Sequence, residues 1–483
     1  MGNKQSSGAS STDLLAAFTA DQQAQIKQQY AKAVAQSGAP DKHSKSAKLP
    51  RSAFEHALCS HVDLPLRQAL ASYLVALTNS DQDMITQEAF IKGAHALSTD
   101  VESIHALYSS TKACLPEFVS HIANSVIPIW WQGAEIGPEQ WDSPNNKKAC
   151  QRLADYLVYH KSPPTASSQW DEDNLFNTDN ASNSGWNEEA TRNVAADVFD
   201  KWYNHNLEFN ILFNILIRSI FWPESTNADK DRAQHHLAPI MARRMLPQTQ
   251  SYSHLLTPFD YFTLTVHMPA DCLASTSTSK SSPHQLIFSS KIDGSSWQNF
   301  VNNITNQGAL ILAIKTTDGD VIGGFIDSAL QLETRWTGNT SNFLYRLDPM
   351  GLWDASAGNN DHYQYLCWGK KSLPNGFGMG GQFDYCGLWL DADFSHGHSK
   401  AGPLCSTYSS PRLTSKEEFT IDMVEAWLVR PLPVDPNNPD PRSQGSVLNN
   451  AEGMAFLEMA GRKLYSKDLP QADKDQENDQ NTQ

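Results

Sequence analysis

Leu373-Pro374-Asn375-Gly376-Phe377-Gly378-Met379-Gly380-Gly381-Gln382-Phe383-Asp384-Tyr385-Cys386-Gly387-Leu388-Trp389-Leu390-Asp391-Ala392-Asp393-Phe394 is the stretch on which the reading of this chain turns. Its second half has the pattern of a strand. Leu388, Leu390 and Phe394 share one parity and Trp389 holds the other, as on a strand covered on both faces. The first half reads as a glycine-crowded turn feeding that strand. Gly376, Gly378 and Gly381 spell G-x-G-x-x-G, but a dinucleotide fingerprint follows a strand and opens a helix whose N-terminus receives the pyrophosphate. Here residues 370–374 read as loop and the segment after the glycines as strand, so the order is reversed and nucleotide binding is set aside.

Outward from this stretch, further strand candidates fall at 285–289, 309–315, 321–326, 342–347, 363–367, 387–394 and 421–429. Asp318-Gly319 between two of them is a strong hairpin signal. Short strands separated by turns suggest antiparallel sheets.

The residues now quoted, with Gly397, Ser399, Cys405-Ser406-Thr407-Tyr408, Ser410-Pro411, Phe419 and Val424-Glu425-Ala426-Trp427, resemble the second half of a TLDc domain. Leu286-Ile287-Phe288-Ser289-Ser290, Asp293-Gly294-Ser295-Ser296-Trp297, Gly323-Gly324-Phe325 and Asn342-Phe343-Leu344-Tyr345 resemble its first half, in order. Asn360-Asp361-His362-Tyr363 and the 374–382 turn are similar to one branch of that family, N-myristoylated, lysosome-associated and linked to mTOR signalling. The resemblance implies an antiparallel β-sandwich flanked by helices, within an α+β chain whose N-terminal region is all-helical.

The whole chain bounds the alternatives. With 483 residues it is long enough for two or three domains. A net charge of −16 and pI near 5.4 argue against a nucleic-acid binder and against a bulk polybasic membrane surface. Seven dispersed cysteines without a C-x-x-C pair, and no secretory signal, suggest reduced thiols in the cytosol.

Met1-Gly2-Asn3-Lys4-Gln5-Ser6 fits M-G-x-x-x-[ST], so Gly2 is the expected myristate acceptor on a flexible tail, residues 1–12. A single acyl chain binds membranes only marginally, with an association constant on the order of 10⁴ M⁻¹. A second attachment is therefore required. Lys4 is the one basic residue among the first twenty and the nearest cysteine is Cys59, so a protein partner on the membrane is expected to supply it.

Residues 13–125 read as a helical region, with Phe18, Ile26 and Tyr30 in one run and Leu66, Leu70, Leu74 and Leu77 in another. Its loops resemble paired EF-hands. Setting Ile85 at loop position 8 puts Thr78, Ser80 and Gln82 at positions 1, 3 and 5 and Ala89 at 12, a set without a carboxylate. The scaffold is thus degenerate, and calcium binding is not expected. Residues 126–235 continue in helices, with a polar insertion at 161–193. Within them 198–222 is the most apolar segment, read as one buried helix with a polar stripe of Asn206, Asn210, Asn214 and Arg218 and closed by Pro223. Arg218 and the amides argue against a membrane span.

Residues 236–430 are assigned to the TLDc domain, with helices expected near its start. A Pro-rich linker follows at 431–445, then a C-terminal helix at 446–465 and a polar tail at 466–483.

Chemistry is sparse. His396 and His398 with Asp391, Asp393 and Cys405 make a metal set on paper, but both are read as surface histidines beside a turn and no metal is expected. A cysteine nucleophile at Cys405 or Cys386 lacks a spaced base, and no Walker loop, kinase set, G-x-S-x-G elbow or H-E-x-x-H occurs. The expectation is a protein that is not an enzyme and uses no cofactor.

By resemblance, it is expected on the cytosolic face of lysosomes and in the cytoplasm, with the V-ATPase and mTOR pathway components as partners and no nucleic acid. The expected contact residues are Gly376, Phe377, Met379, Asp391 and Asp393 in the TLDc region and Met454, Leu457 and Leu464 in the C-terminal helix. The competing expectation is an oxidation-resistance protein acting through a reactive TLDc cysteine.

Overall fold

A computed structural model describes residues 14–37, 48–78, 83–130, 143–160, 191–223, 253–272, 284–355 and 360–433. Gly2, Met454, Leu457 and Leu464, the 161–190 part of the polar insertion, both EF-like loop centres and the C-terminal helix lie outside them.

The N-terminal part is helical: α1 (Ala20–Gln36), α2 (Arg51–Ala57), α3 (Leu64–Ala76), α4 (Gln87–Thr99), α5 (Val101–Thr111), α6 (Leu115–Trp130), α7 (Pro144–Asp155), α8 (Ala196–His205) and α9 (Leu207–Phe221). Local chemistry starts several of them. Thr19 and Gln22 close a reciprocal capping box on α1, and the side chains of Thr86, Asp100 and Ser143 cap α4, α5 and α7. Two short strands, β1 (Leu49–Pro50) and β2 (Met84–Ile85), pair antiparallel with Leu49 opposite Ile85 and so join two helix–loop–helix units. Phe90 packs between them. Its ring lies 5.5 Å from Tyr30, 6.4 Å from Phe54 and 4.7 Å from Phe221 on α9.

The apolar 198–222 segment is two helices rather than the single one expected. Asn206 breaks it with φ −104° and ψ 83°, and its buried amide donates to Trp202 O at 2.8 Å. That bond gives the side-chain amide N–H a partner where the backbone leaves the helix. Asn210 and Asn214 likewise donate to carbonyls, at 2.9 and 2.7 Å, so all three amides of the stripe donate within the protein. Among the described residues no helix is long and apolar enough to cross a membrane.

After α10 (Pro258–Val266) comes β3 (Gln285–Ser289), followed by α11 (Ser290–Asp293), α12 (Trp297–Ile304), β4 (Gly308–Thr316), β5 (Val321–Ile326), β6 (Phe343–Leu347) and β7 (Met350–Asp354). Then follow β8 (Tyr365–Cys367), β9 (Gly376–Gln382), β10 (Tyr385–Asp391), β11 (His396–His398) and β12 (Glu418–Pro431). The strands form one antiparallel path, β7-β6-β5-β4-β12-β11-β10-β9-β8, with β3 on the other side of β12. β12 belongs to two layers. Thr420, Phe419 and Glu418 pair with β11, whereas Ile421 to Pro431 pair with β4.

Strand alternation divides the core. Ala309, Ile311 and Ala313 of β4, with Phe343, Tyr345 and Trp427, face the helices, in a buried cluster that runs from Leu15 to Val429. Leu310, Leu312 and Ile314 face the other way and meet Phe377, Met379, Leu388 and Leu390 of the second layer. This is the inside–outside period of two that sheets impose.

The helices and the first layer thus share apolar packing, and buried ionic groups reinforce it. Arg152 on α7 donates to Asp260 on α10 at 2.8 Å, and Asp260, fully buried, also accepts from Thr257 N at 3.0 Å. His267 Nε2 lies 2.8 Å from the buried carboxylate of Glu208 on α9.

Removing one member of a buried ion pair strands the other. Asp260→Ala is expected to lower unfolding stability by about 3–5 kcal/mol, read from urea denaturation by tryptophan fluorescence. A loss below about 1 kcal/mol, the range of a surface pair, refutes the assignment of Arg152–Asp260 as a clamp between helices and sandwich.

Candidate partner-binding surface

The glycine run that reads as a turn in the sequence is a strand, β9, and the turn lies after it at Phe383-Asp384. The physical reason is the neighbouring Trp389. In register Trp389 faces Gly378, and a Cβ on Gly378 would sit 2.8 Å from its ring; one on Gly376 would sit 2.6 Å from it. The glycines therefore make room for a cross-strand indole lying on the outer face of the second layer.

Around that indole the outer face is aromatic. His362 stacks on Trp336 at 4.9 Å, Trp336 on Phe383 at 5.4 Å, Tyr365 on Trp389 at 6.0 Å and Trp389 on His398 at 6.0 Å. Trp389 Nε1 donates to Asp391 at 2.7 Å, which fixes both side chains. Beside the ring lies a groove of about 630 Å³ whose lining includes Asn375, Asp384, Asp391, His398, Lys400 and Glu418.

Charge in the groove is uneven. Lys400 pairs with Glu418 at 2.5 Å and Lys416 with Asp318 at 2.7 Å, so both lysines of the lining are already engaged by carboxylates. Asp384 and Asp391 remain as an acidic excess. His396 also lines the groove; its Nδ1 lies 2.5 Å from Asp393 Oδ2, and this hydrogen bond raises the imidazole above its ordinary range. Desolvation opposes ionisation of Asp393, but bonds from His396 and Ser395 outweigh it and hold the carboxyl low. His398 is lowered instead, by burial and then by Lys400.

The expected contact residues divide. Of the expected residues, Gly376, Phe377 and Met379 are buried, with Phe377 and Met379 at 0% exposure in the sandwich core, so none of the three presents a side chain at the surface. Phe377 and Met379 take the parity of β9 that faces the first layer, and Gly376 lies under the Trp389 ring on the other face. Asp391 is half-buried on the groove and Asp393 exposed beside it. Asp384, Lys400 and Glu418 escaped sequence reading because they reach the groove from three elements whose adjacency is set by sheet register; only Asp391, sharing parity with Trp389, carried a signal.

No catalytic constellation assembles here. His396 is exposed and His398 half-buried, whereas Cys405 is fully buried, and among the described residues no three His, Cys, Asp or Glu groups converge as metal ligands. Burial pushes Cys150 and Cys272 up to about 12, Cys59 and Cys386 further still, and raises Cys405. Cys114 is half-buried and also raised by burial.

Comparison with known proteins gives the matching family. The TLDc domain model matches residues 249–430. The chain is 39% identical over 196 residues to an "MTOR-associated protein MEAK7" of Gallus gallus, covering 40% of this chain and 41% of that protein. It is 41% identical over 193 residues to the protein of that name from Xenopus laevis, covering 40% and 42%. Similarity to "Oxidation resistance protein 1" of Bos taurus is 27% over 191 residues, 39% of this chain and 20% of that one. The matches thus span about two fifths of the length of the curated MEAK7 relatives.

Two expectations follow from the site. In native protein the thiol reagent DTNB should modify Cys114 first and Cys386 and Cys405 more than about a hundredfold slower than a free thiol; rapid reaction at either of the two contradicts the burial. In an NMR titration the His396 imidazole should stay protonated to higher pH than His398. The Asp393 pair is present below the His396 midpoint and lost as pH rises through it, so Asp393→Asn should bring that midpoint down and leave His398 in place.

Proposed function

We propose that this chain, a TLDc-domain protein, is a non-enzymatic, mTOR-associated interaction protein that is recruited to the cytosolic face of lysosomes and binds the V-ATPase. The observation that carries the reading is an ordered TLDc sandwich, similar to the MEAK7 relatives, whose outer face offers a built groove and no reactive group. Asp384 and Asp391 give that groove a negative excess, which favours a partner surface bearing lysine or arginine. Myristate on Gly2 supplies one weak attachment, and the protein contact supplies the second.

The paired strands at Leu49 and Ile85, each between two helices, support an EF-hand-like scaffold for the N-terminal region. The ligand positions read from the sequence lack carboxylates, so the scaffold serves packing rather than calcium. An oxidation-resistance role through a thiol has less support. The cysteines of the sandwich, Cys367, Cys386 and Cys405, are buried, and a reactive thiolate needs exposure and a lowered pKa.

The test combines both attachments in cells. Wild type, Gly2→Ala, a deletion of 446–465 and the double variant are compared by lysosomal sedimentation and by co-precipitation of V-ATPase subunits. Gly2→Ala should lower the membrane fraction, the double variant should abolish it, and Asp384→Lys should reduce recovery of the pump by about tenfold. Full sedimentation of the double variant, or no pump subunit recovered with wild type, overturns the proposal.

A further inference from the structure

The acidic excess of the groove beside Trp389 is small, and its own lining holds the means to cancel it. Four carboxylates line the groove, Asp318, Asp384, Asp391 and Glu418, against the two lysines Lys400 and Lys416. The balance is two negative charges. His396 and His398 belong to the same lining, and imidazole is the side chain whose ordinary pKa lets its charge change between about pH 5 and 8. One proton on each ring brings the groove to neutrality.

Both rings sit among these charges because β11 runs between β10 and β12. In register His398 faces Trp389 on one side and Glu418 on the other, while His396 faces Thr420 and bonds Asp393 in the turn before β11. The charged groups that act on His398 are Lys400 after β11, Asp391 on β10, Asp384 in the turn before β10 and Glu418 on β12. Those that act on His396 are Asp393, Asp391 and Glu418. From the β4–β5 hairpin Asp318 reaches the lining already paired with Lys416, and Glu417 acts on Lys400. Each ring is thus surrounded by the charges whose sum a basic partner meets.

The two rings are not equivalent. The bond from Asp393 raises His396, whereas burial lowers His398, whose Nε2 is sealed from solvent without a hydrogen-bond partner among the described residues. As pH falls, His396 takes its proton first and His398 second. Asp393 does not cancel the first gain, because against desolvation the bonds from His396 and Ser395 hold its carboxyl low and keep it charged throughout.

We propose that the groove is a proton-gated docking site for a lysine- or arginine-bearing segment of a partner protein, held while both histidines are neutral and released in two steps as His396 and then His398 become charged. This rests on the reading that the groove receives a basic surface, and it adds the regulation of that site. The gate is reciprocal. A cation seated in the groove disfavours both protonated rings, so its binding lowers the midpoint of each.

The test adds a capped pentalysine peptide, whose charge is constant over this range, to the full chain at low ionic strength. Affinity is read by fluorescence polarisation at about pH 8 and about pH 5, and the histidine midpoints by NMR with and without peptide. Wild type should bind about tenfold tighter at the higher pH, and both midpoints should fall on binding. Combining His396→Gln with His398→Gln should make the two affinities nearly equal, whatever their absolute size. The midpoints of the wild type make the same test without a variant. Equal wild-type affinity at both pH values, midpoints that stay in place, or an unchanged ratio in the double variant overturns the gate. The acidic groove then still stands if Asp384→Lys weakens binding at about pH 8. If Asp384→Lys has no effect, or about 1 mM peptide binds at neither pH, the groove reading itself fails and the gate with it.

Discussion

A carboxylate sealed from water must have its oxygens occupied by donors, and Glu425 of β12 meets that demand with groups from two places in the chain. It accepts from His254 N at 2.9 Å, from the Ser253 hydroxyl and from Trp427 Nε1 at 3.2 Å, with His254 Nδ1 at 3.3 Å. A buried acid left without such partners costs several kcal/mol. The bonds therefore pin the segment before α10 to the one strand shared by both layers. Ser253 also accepts from Leu255 N and Leu256 N, which sets up the Thr257–Asp260 capping box that starts α10. From α10 the Arg152–Asp260 contact reaches α7, so the helices, the first layer and the second layer are joined through a short series of paired buried charges.

Much of this is legible in the sequence where periodicity is strong. Asp318-Gly319 marks the β4–β5 hairpin, with Gly319 at φ +100°. Leu388 and Leu390 point inward and Trp389 outward, as their parity requires. The ordered TLDc resemblance covers the part of the chain that the family model matches. Other features depend on contacts between residues far apart. β9 reads as a turn because glycine usually marks one; only contacts across the fold explain its four glycines, Gly376 and Gly378 lying under the Trp389 ring, Gly380 against Tyr408 and Cys405, and Gly381 against the Tyr385 carbonyl. β7, whose Gly351 weakens the strand signal, passes unnoticed for the same reason. The break at Asn206 is a local choice between helical bonding and a side-chain bond to Trp202 O, which composition does not decide.

The candidate surface illustrates the same limit. Asp391 and Asp393 lie on or beside the groove, yet Phe377 and Met379, equally prominent in the motif, serve the core. A family signature records both kinds of residue without separating them. Burial does separate them, and it moves attention from the glycine run to the charged rim around Trp389.

The sharing of β12 between both layers also governs how the chain is made. β4 to β7 and β8 to β11 are completed on the ribosome well before residues 418–431 emerge, yet each set lacks the strand that closes it until then. During synthesis both half-sheets carry an open edge, a state exposed to mispairing and to chaperone capture. A premature stop upstream of Glu418 would leave two unfinished sheets rather than one missing terminus, and such a product is destined for clearance.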